Sequence, residues 1–197
     1  MATWNKKREV MHHYNSSARV YDAQYCEEQD AKMKTALSST NLKKGSLVLD
    51  AGCGTGLLFK RVGRSVKLLV GLDMSPRILK EAKKRAKQLP AVAVVRADAD
   101  FTPFQNNVFD ATFAITLLQN VPDPLVTLRE MKRVSKDRAF IVATGLKKNF
   151  SREAFVKLLR KAGLGVSVIK SGGELKGHVV VCKKVEEKTL KRTLRLV

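Results

Sequence analysis

The chain has 197 residues, 44% of them hydrophobic, which is enough for one domain with a sizeable core. It carries 38 Lys and Arg against 18 Asp and Glu, a formal net charge of +20. Because no apolar run is long enough to span a bilayer and the first residues lack the apolar centre of a secretory signal, we expect neither a membrane protein nor a secreted one.

After a polar leader, residues 17–39 contain no Pro or Gly and space their apolar side chains as a helix does. From residue 47 onward, short apolar runs alternate with amphipathic stretches. The predicted strands are Leu47–Leu49, Leu68–Leu72, Val92–Val95, Phe109–Ile115 and Ala139–Ala143, followed by a hairpin of Gly165–Ile169 and His178–Cys182. The predicted helices between them are Leu57–Arg64, Ser75–Gln88, Pro124–Val134 and Ser151–Lys161, with Ser75 as the N-cap of the second.

This alternation predicts an α/β fold that is Rossmann-like, with a mostly parallel seven-stranded sheet and helices on both faces. The terminal hairpin adds one antiparallel strand. The ligand of such a sheet is expected at the carboxyl ends of the strands. We divide the chain into a leader and helix that cover this site (1–45), the α/β domain (46–184) and a basic tail (185–197).

A glycine-rich turn follows the first predicted strand, in the run Leu49-Asp50-Ala51-Gly52-Cys53-Gly54-Thr55-Gly56. Glycines let the turn tighten and let a ligand approach the backbone. The dinucleotide fingerprint would need a glycine at position 57, which is Leu57, and the Gly-Lys-Ser/Thr of a P-loop is absent. The turn alone therefore leaves the ligand open.

Acidic residues follow the next two predicted strands. Asp73, with Met74 beside it, ends the second strand, where a carboxylate can accept hydrogen bonds from ribose hydroxyls. Asp98-Ala99 follows the third, where the carboxylate can accept from an adenine amino group and a backbone N–H can donate to a ring nitrogen. The set as a whole favours an adenosine-containing ligand.

The turn, the two acidic positions and the Pro103-Phe104…Phe109-Asp110 run resemble the motifs of class I S-adenosylmethionine-dependent methyltransferases, over about residues 14–183. The resemblance implies the Rossmann-like class I methyltransferase fold, methyltransferase activity and S-adenosylmethionine as cofactor. It also implies the cofactor-binding residues. Asp50 and Gly52, Cys53, Gly54 and Gly56 would hold the methionine part, Asp73 and Met74 the ribose, Asp98 and Ala99 the adenine, and Ile115 would lie beside the sulfonium.

The methyl acceptor is less defined, and no catalytic residue is assigned. The Asn/Asp-Pro-Pro-Tyr/Phe run of enzymes that methylate base amino groups is absent after the fourth strand, which reads Ala114-Ile115-Thr116-Leu117-Leu118-Gln119-Asn120. Tyr14–Ala18 and Ile115–Gln119 resemble rRNA guanine-N7 methyltransferases, which assemble with a small zinc-containing activator. The helix with Tyr21-Asp22 and the run Leu118–Val121 also resemble quinone-biosynthesis methyltransferases.

The net charge of the chain determines which of these methyl acceptors we expect first. A net +20, densest after residue 146, concentrates polyanions near the protein, so we expect a base in rRNA or tRNA, with RNA as a partner. A quinone-like small molecule is the alternative, and an RNA-binding scaffold without activity is the third reading. The apolar strand Ala91–Val95 should lie at a sheet edge, where a small zinc-containing activator protein could pair with it.

Cysteine and histidine content argues against metals and disulfides. The cysteines are three and widely spaced (Cys26, Cys53 and Cys182), and the histidines (His12, His13 and His178) have no ligand spacing. We therefore expect no bound metal and a reducing, cytoplasmic location. Cys53 is expected to pack as a small residue rather than to act as a nucleophile.

Overall fold

The computed structural model describes residues 2–18, 20–173 and 175–184. Its helices are α1 (Ala2–Ser17), α2 (Tyr21–Ser38), α3 (Phe59–Val62), α4 (Pro76–Ala86), α5 (Pro124–Val134) and α6 (Arg152–Lys161). Its strands are β1 (Leu47–Ala51), β2 (Leu68–Asp73), β3 (Val92–Arg96), β4 (Phe109–Ala114), β5 (Ser135–Leu146), β6 (Leu164–Lys170) and β7 (Gly177–Lys184). The basic tail at 185–197 lies outside the described residues.

The strands form one seven-stranded sheet in the order β3-β2-β1-β4-β5-β7-β6. The pairs among β1 to β5 are parallel, and β7 is antiparallel to both β5 and β6. The predicted fold class is therefore confirmed, including the single antiparallel strand. Strand order reverses between β1 and β4, so a crevice is expected at the carboxyl ends of those strands.

Helices cover both faces of the sheet, as alternate residues of the same strands show. Val142 of β5 and Val179 of β7 pack with α2, α3 and α4, in a core that includes Met33, Phe59 and Leu79. Ile141 and Val180, one residue along, pack with α5 and α6 instead. Because successive side chains of a strand point to opposite faces, the two cores lie on opposite sides of the sheet.

Local sequence signals account for the start of α4. Ser75 has extended backbone dihedral angles and its Oγ accepts a hydrogen bond from Ile78 N, with Pro76 at the first helical position. This is the N-cap predicted from the sequence. A hydroxyl at this position satisfies a backbone N–H that has no partner within the helix, and it fixes where the helix begins below the site.

The amino-terminal region differs from its prediction. Residues 2–17, expected as a polar leader, form helix α1, which lies against the carboxyl end of the sheet and contacts α4. Asn15 Oδ1 accepts hydrogen bonds from Ser75 Oγ (2.6 Å) and Arg77 N (3.1 Å). The helix is therefore held by polar contacts rather than by an apolar stripe, which is why hydrophobic periodicity did not reveal it.

Strand β3 lies at one edge of the sheet, as expected from the sequence. Its side chains from Val92 to Val95 are half-buried rather than fully exposed. No helix in the described part of the chain is long and apolar enough to cross a membrane.

Candidate cofactor and acceptor site

The glycine turn leaves the end of β1 in a backbone conformation that favours glycine. Gly52, Gly54 and Gly56 have φ values of +70°, +55° and +83°. A Cβ at Gly52 would lie 2.8 Å from Leu117 Cδ1, and one at Gly56 would lie 2.5 Å from the Phe59 ring. At Gly54 a Cβ would meet nothing within 4 Å, so the backbone there borders open space. The turn thus has both the tight packing and the open face of a ligand cradle.

Asp73 links this turn to the start of α4. Its Oδ2 accepts from Gly54 N (3.0 Å) and its Oδ1 accepts from Ser75 N (2.9 Å). Burial raises the pKa of this carboxyl, and the backbone hydrogen bonds partly offset that effect. Each carboxylate oxygen can accept more than one hydrogen bond, so Asp73 can also accept from a ligand.

Asp50, at the end of β1, is almost completely buried. Burial, together with the charge of Asp73, raises its pKa from 3.8 to about 7. Two carboxyl groups in one desolvated region disfavour each other's ionised form, so the region favours a cation.

Asp98 follows β3 and contacts α1. Its Oδ2 accepts from Lys7 Nζ (2.7 Å) and its Oδ1 accepts from Asp100 N (3.0 Å), and Lys7 also pairs with Asp100. Burial lowers the pKa of Lys7, but its hydrogen bonds to Asp100 and Asp98 outweigh this and raise it overall. Lys7 therefore ties α1 to the mouth of the site as a cation.

A pocket joins these elements at the carboxyl end of the sheet. Its empty space is about 740 Å³, a volume that includes open solvent at its mouth. Seven of the predicted site residues line it: Gly52, Gly54, Asp73, Met74, Asp98, Ala99 and Ile115.

The other three predicted residues lie elsewhere. Asp50 and Cys53 line a smaller adjoining recess, which also borders Gly52 and Gly54. Gly56 lines neither space and serves the turn. Cys53 is buried, its Sγ would lie 3.1 Å from a Cβ placed at Gly71, and burial raises the pKa of its thiol well above the ordinary value. This is the environment of a packing residue, since a nucleophilic cysteine needs a lowered pKa.

The leader was expected to cover this site, but the sequence analysis identified neither helix α1 nor most of the side chains that it places in the pocket. Lys7, Val10, Met11 and Tyr14 form one side of it. Their spacing of three or four residues places them on one face of a helix, and this was the signal available in the sequence. It was weak because only two of the four side chains are aliphatic.

A second, open groove adjoins the pocket and shares Tyr14, Tyr21, Thr116 and Asn120 with it. Its volume is about 1400 Å³ counted out to solvent. The rings of Tyr14 and Tyr21 have centroids 5.8 Å apart, and those of Tyr21 and Tyr25 are 5.1 Å apart. The groove therefore has an aromatic wall at the place where the two spaces meet. We name this wall, Tyr14 with Tyr21 and Tyr25, the tyrosine wall.

Metal-ion chemistry has no candidate centre within residues 2–18, 20–173 and 175–184. No three His, Cys, Asp or Glu side chains there come together in a way that could hold a metal ion.

Known proteins with similar sequences agree with the interpretation of the sequence motifs. Residues 49–143 match the family model described as a methyltransferase domain. A demethylmenaquinone methyltransferase of Staphylococcus saprophyticus is 36% identical over 120 residues, which are 59% of this chain and 51% of that protein. A protein of the same name from Staphylococcus carnosus is 37% identical over 114 residues, 56% of this chain and 47% of that protein. The chain thus spans about half the length of the curated relatives it matches.

Solved structures share the fold. One of them is the complex between the Haloferax volcanii Trm112 methyltransferase activator and a methyltransferase. The chain superimposes on a chain of that complex with a TM-score of 0.77 and 17% identity, and the match covers 88% of this chain and 98% of the matched one. For an S-adenosylmethionine-dependent methyltransferase of Aquifex aeolicus the TM-score is 0.75 and the identity 24%, covering 87% and 98%. The resemblance inferred from the motifs is therefore confirmed: residues 49–143 match a methyltransferase domain, and the chain has the fold of solved S-adenosylmethionine-dependent methyltransferases.

Proposed function

We propose that this chain is an S-adenosylmethionine-dependent methyltransferase that acts on a small, aromatic, quinone-like acceptor. The observation that carries the proposal is the junction of two spaces. An acidic pocket with a glycine cradle opens, beside Thr116, into a groove with the tyrosine wall. One space suits a cationic nucleoside and the other a planar ring.

The residues present fit S-adenosylmethionine. The cofactor carries a positive sulfonium, and two carboxyl groups lie on that side of the site, that of Asp50 buried and that of Asp73 half-buried. We assign Gly52, Gly54 and Asp50, with Cys53 and Gly56 supporting the turn, to its methionine part. Asp73 and Met74 would hold the ribose, Asp98 and Ala99 the adenine, and the backbone at Ile115 would lie beside the sulfonium.

When bound, S-adenosylmethionine supplies an electrophilic methyl group. The displacement develops no oxyanion, so the main task of the chain is to align two reactants, and positioning alone can supply much of the rate. Asp73 and Asp98 would fix the nucleoside. The tyrosine wall would hold the acceptor ring and exclude water from the reacting centre.

The relatives favour a small-molecule acceptor. Those that the chain matches over 114–120 residues are named demethylmenaquinone methyltransferases. An aromatic wall beside the cofactor pocket suits such a planar ring. These findings reverse the order expected from composition, which placed RNA first.

RNA methylation stays as the second candidate because of the charge. A formal net charge of +20 exceeds what a small uncharged acceptor requires. Lys147, Lys148 and Lys176 lie on the rim of the groove, where they could contact phosphates. A scaffold that binds RNA without activity is the least supported reading, because the sequence retains every acidic and glycine position of the motifs and four of them line the pocket, namely Gly52, Gly54, Asp73 and Asp98.

We further propose that residues 46–184 form the methyltransferase domain, with α1 and α2 as its cover. The Haloferax volcanii neighbour is a methyltransferase in complex with a Trm112 activator. A small activator protein of that kind could add a strand at the edge of β3, the place expected from the sequence.

The test is transfer of a radiolabelled methyl group from S-adenosylmethionine in parallel reactions. One contains a short-chain demethylated menaquinone analogue, in its oxidised or reduced form, and the other contains total cellular RNA. The proposal predicts label in the organic extract and none above background in RNA. Label in RNA alone would replace it with the second candidate, and label in neither, with or without a Trm112-type activator, would contradict both.

A further inference from the structure

One tyrosine hydroxyl lies where the two spaces of the site meet. Tyr14 of α1 lines both the pocket and the groove, and so does Asn120, which follows β4. Asn120 Nδ2 donates to the Tyr14 hydroxyl (2.8 Å), although the two residues are 106 positions apart in the chain. Helix α1 therefore brings a phenol group to the junction at which we place the sulfonium and the methyl acceptor.

The direction of this hydrogen bond is fixed by a backbone carbonyl. Asn120 Nδ2 also donates to Thr116 O (2.9 Å). Exchanging the nitrogen and oxygen of the amide would place Asn120 Oδ1 against that carbonyl oxygen, and neither atom has a proton to donate. The amide nitrogen therefore faces Tyr14, and the Tyr14 hydroxyl is the acceptor of this bond.

Thr116 is itself held by several contacts. Its φ is +60°, a region that β-branched residues rarely adopt, and its N donates to Thr144 Oγ1 (2.7 Å). Its hydroxyl donates to Gln29 Oε1 (2.8 Å) and accepts from Nζ of Lys32 (3.0 Å), a completely buried residue of α2. A strained conformation of this kind persists only where its surroundings determine it, so the carbonyl that orients the Asn120 amide has a fixed position.

The proton of the Tyr14 hydroxyl is consequently available to a ligand. In the described part of the chain this hydroxyl has only the hydrogen bond from Asn120, so no protein acceptor takes its proton there. The side chain is half-buried rather than enclosed. Burial, followed by the charge of Asp73, raises the pKa of Tyr14 to about 12, so the phenol keeps its proton near neutral pH. Because electrostatic effects weaken with distance, the influence of Asp73, which lines the pocket, places the hydroxyl on the same side.

We propose that Tyr14 determines acceptor specificity by donating a hydrogen bond to an oxygen atom on the ring of the methyl acceptor. The sulfonium, which we assign to the backbone at Ile115, is a cation and accepts no hydrogen bond, whereas a phenolate or carbonyl oxygen does. The bond holds the ring against the tyrosine wall with one edge toward the methyl group. Tyr14 neither gains nor loses a proton in this role. The inference rests on the proposed function, since it assigns the acceptor side of the same site.

The test is the pKa of a phenol probe bound to the protein. 4-Nitrophenol absorbs visible light when it is ionised, so its titration is followed in the complex, with and without S-adenosylhomocysteine. A hydrogen bond to the phenolate favours the ionised form. We expect Tyr14→Phe, which keeps the ring, to raise the pKa of the bound probe by about 1–2 and to weaken binding of the ionised probe about 10- to 100-fold.

Besides the tyrosine wall, the titratable groups of the groove are the same in both proteins. His13 lies on its α1 side, Glu28 on its α2 side, and Lys147, Lys148 and Lys176 on its rim. Their charges act on the bound probe in the parent and in the variant alike. The difference in probe pKa between the two proteins therefore reports on the missing hydroxyl.

Tyr25→Phe is the matched control, because it removes a hydroxyl from the same wall and leaves the hydrogen bond between Asn120 and Tyr14 in place. The lowered pKa of the bound probe should persist in this variant. A merely structural defect in Tyr14→Phe would weaken the protonated and the ionised probe equally, and the probe pKa would not change.

Equal probe pKa values in the parent and in Tyr14→Phe, or no binding of the probe, would overturn the inference. A difference seen only without S-adenosylhomocysteine would overturn it as well, because Tyr14 would then serve the nucleoside rather than the acceptor. Methyl transfer to the menaquinone analogue reports separately on the proposed function. Its absence alongside a probe pKa that depends on Tyr14 would refute that function and not the hydrogen bond.

Discussion

Replacing Asp50 with Asn tests whether the ionised, buried Asp50 carboxylate destabilises the fold when no cationic ligand is bound. Burial and the charge of Asp73 raise the Asp50 pKa from 3.8 to about 7. A carboxyl whose pKa is raised in the folded state binds protons more tightly there than in the unfolded chain. Its contribution to stability therefore falls as pH rises from about 4 to about 7.

The size of the effect follows from the shift. About three pKa units correspond to a penalty on the order of 4 kcal/mol, which is fully present above pH 7 and absent below pH 4. Asn has nearly the same shape and no charge. We therefore expect Asp50→Asn to match the unmutated protein near pH 4 and to exceed it by up to about 4 kcal/mol near pH 8.

The assay is urea unfolding of both proteins between pH 4 and pH 8, without cofactor. Asp110→Asn is a control of opposite sign. Burial raises the pKa of the Asp110 carboxyl, but hydrogen bonds from Leu47 N and Lys136 outweigh this and lower it overall. The ionised carboxyl therefore stabilises the fold, and Asp110→Asn should lose that stability above pH 4. A stability difference between Asp50→Asn and the parent that does not change with pH would refute the reasoning, as would a variant that is less stable at pH 8.

Three further outcomes follow from the same site. Asp73→Ala should weaken S-adenosylmethionine binding about 5- to 150-fold in calorimetry, because ribose hydroxyls lose a hydrogen-bond acceptor; an unchanged affinity would remove Asp73 from the site. Gly52→Ala should lower the free energy of unfolding by ~1–3 kcal/mol, because φ is +70° there and the new Cβ would lie 2.8 Å from Leu117 Cδ1. The control Gly45→Ala should be tolerated, because a Cβ at that position meets nothing within 4 Å. Methylation of a small acceptor should change less than about twofold between 50 and 200 mM salt, while an RNA substrate held by several phosphate contacts would lose orders of magnitude in affinity.

Local signals made much of the fold predictable. The N-cap at Ser75, the glycines with positive φ and the position of β3 at the sheet edge all depend on residues close in sequence or on the rules of parallel sheets. Asp73 and Asp98 were predictable for the same reason, because Asp73 is the last residue of β2 and Asp98 lies two residues after β3.

What could not be predicted depends on distant contacts. Lys32 is an ordinary polar residue in a helical pattern, and its burial arises only because α2 packs over Thr116. The tyrosine wall requires α1 and α2 to meet, and α1 itself is held by contacts such as Lys7 with Asp98, 91 residues apart. No short-range pattern reports pairings of this kind.

The central claim is that the acidic pocket binds S-adenosylmethionine, and titration calorimetry tests it most directly. Binding in a one-to-one ratio, displaced by S-adenosylhomocysteine and weakened by Asp73→Ala, is the result that we predict. Because binding a cation favours ionised Asp50, protons should also be released near pH 6, seen as a dependence of the heat on the buffer. A folded protein that binds neither compound, alone or with a Trm112-type activator, would contradict the account.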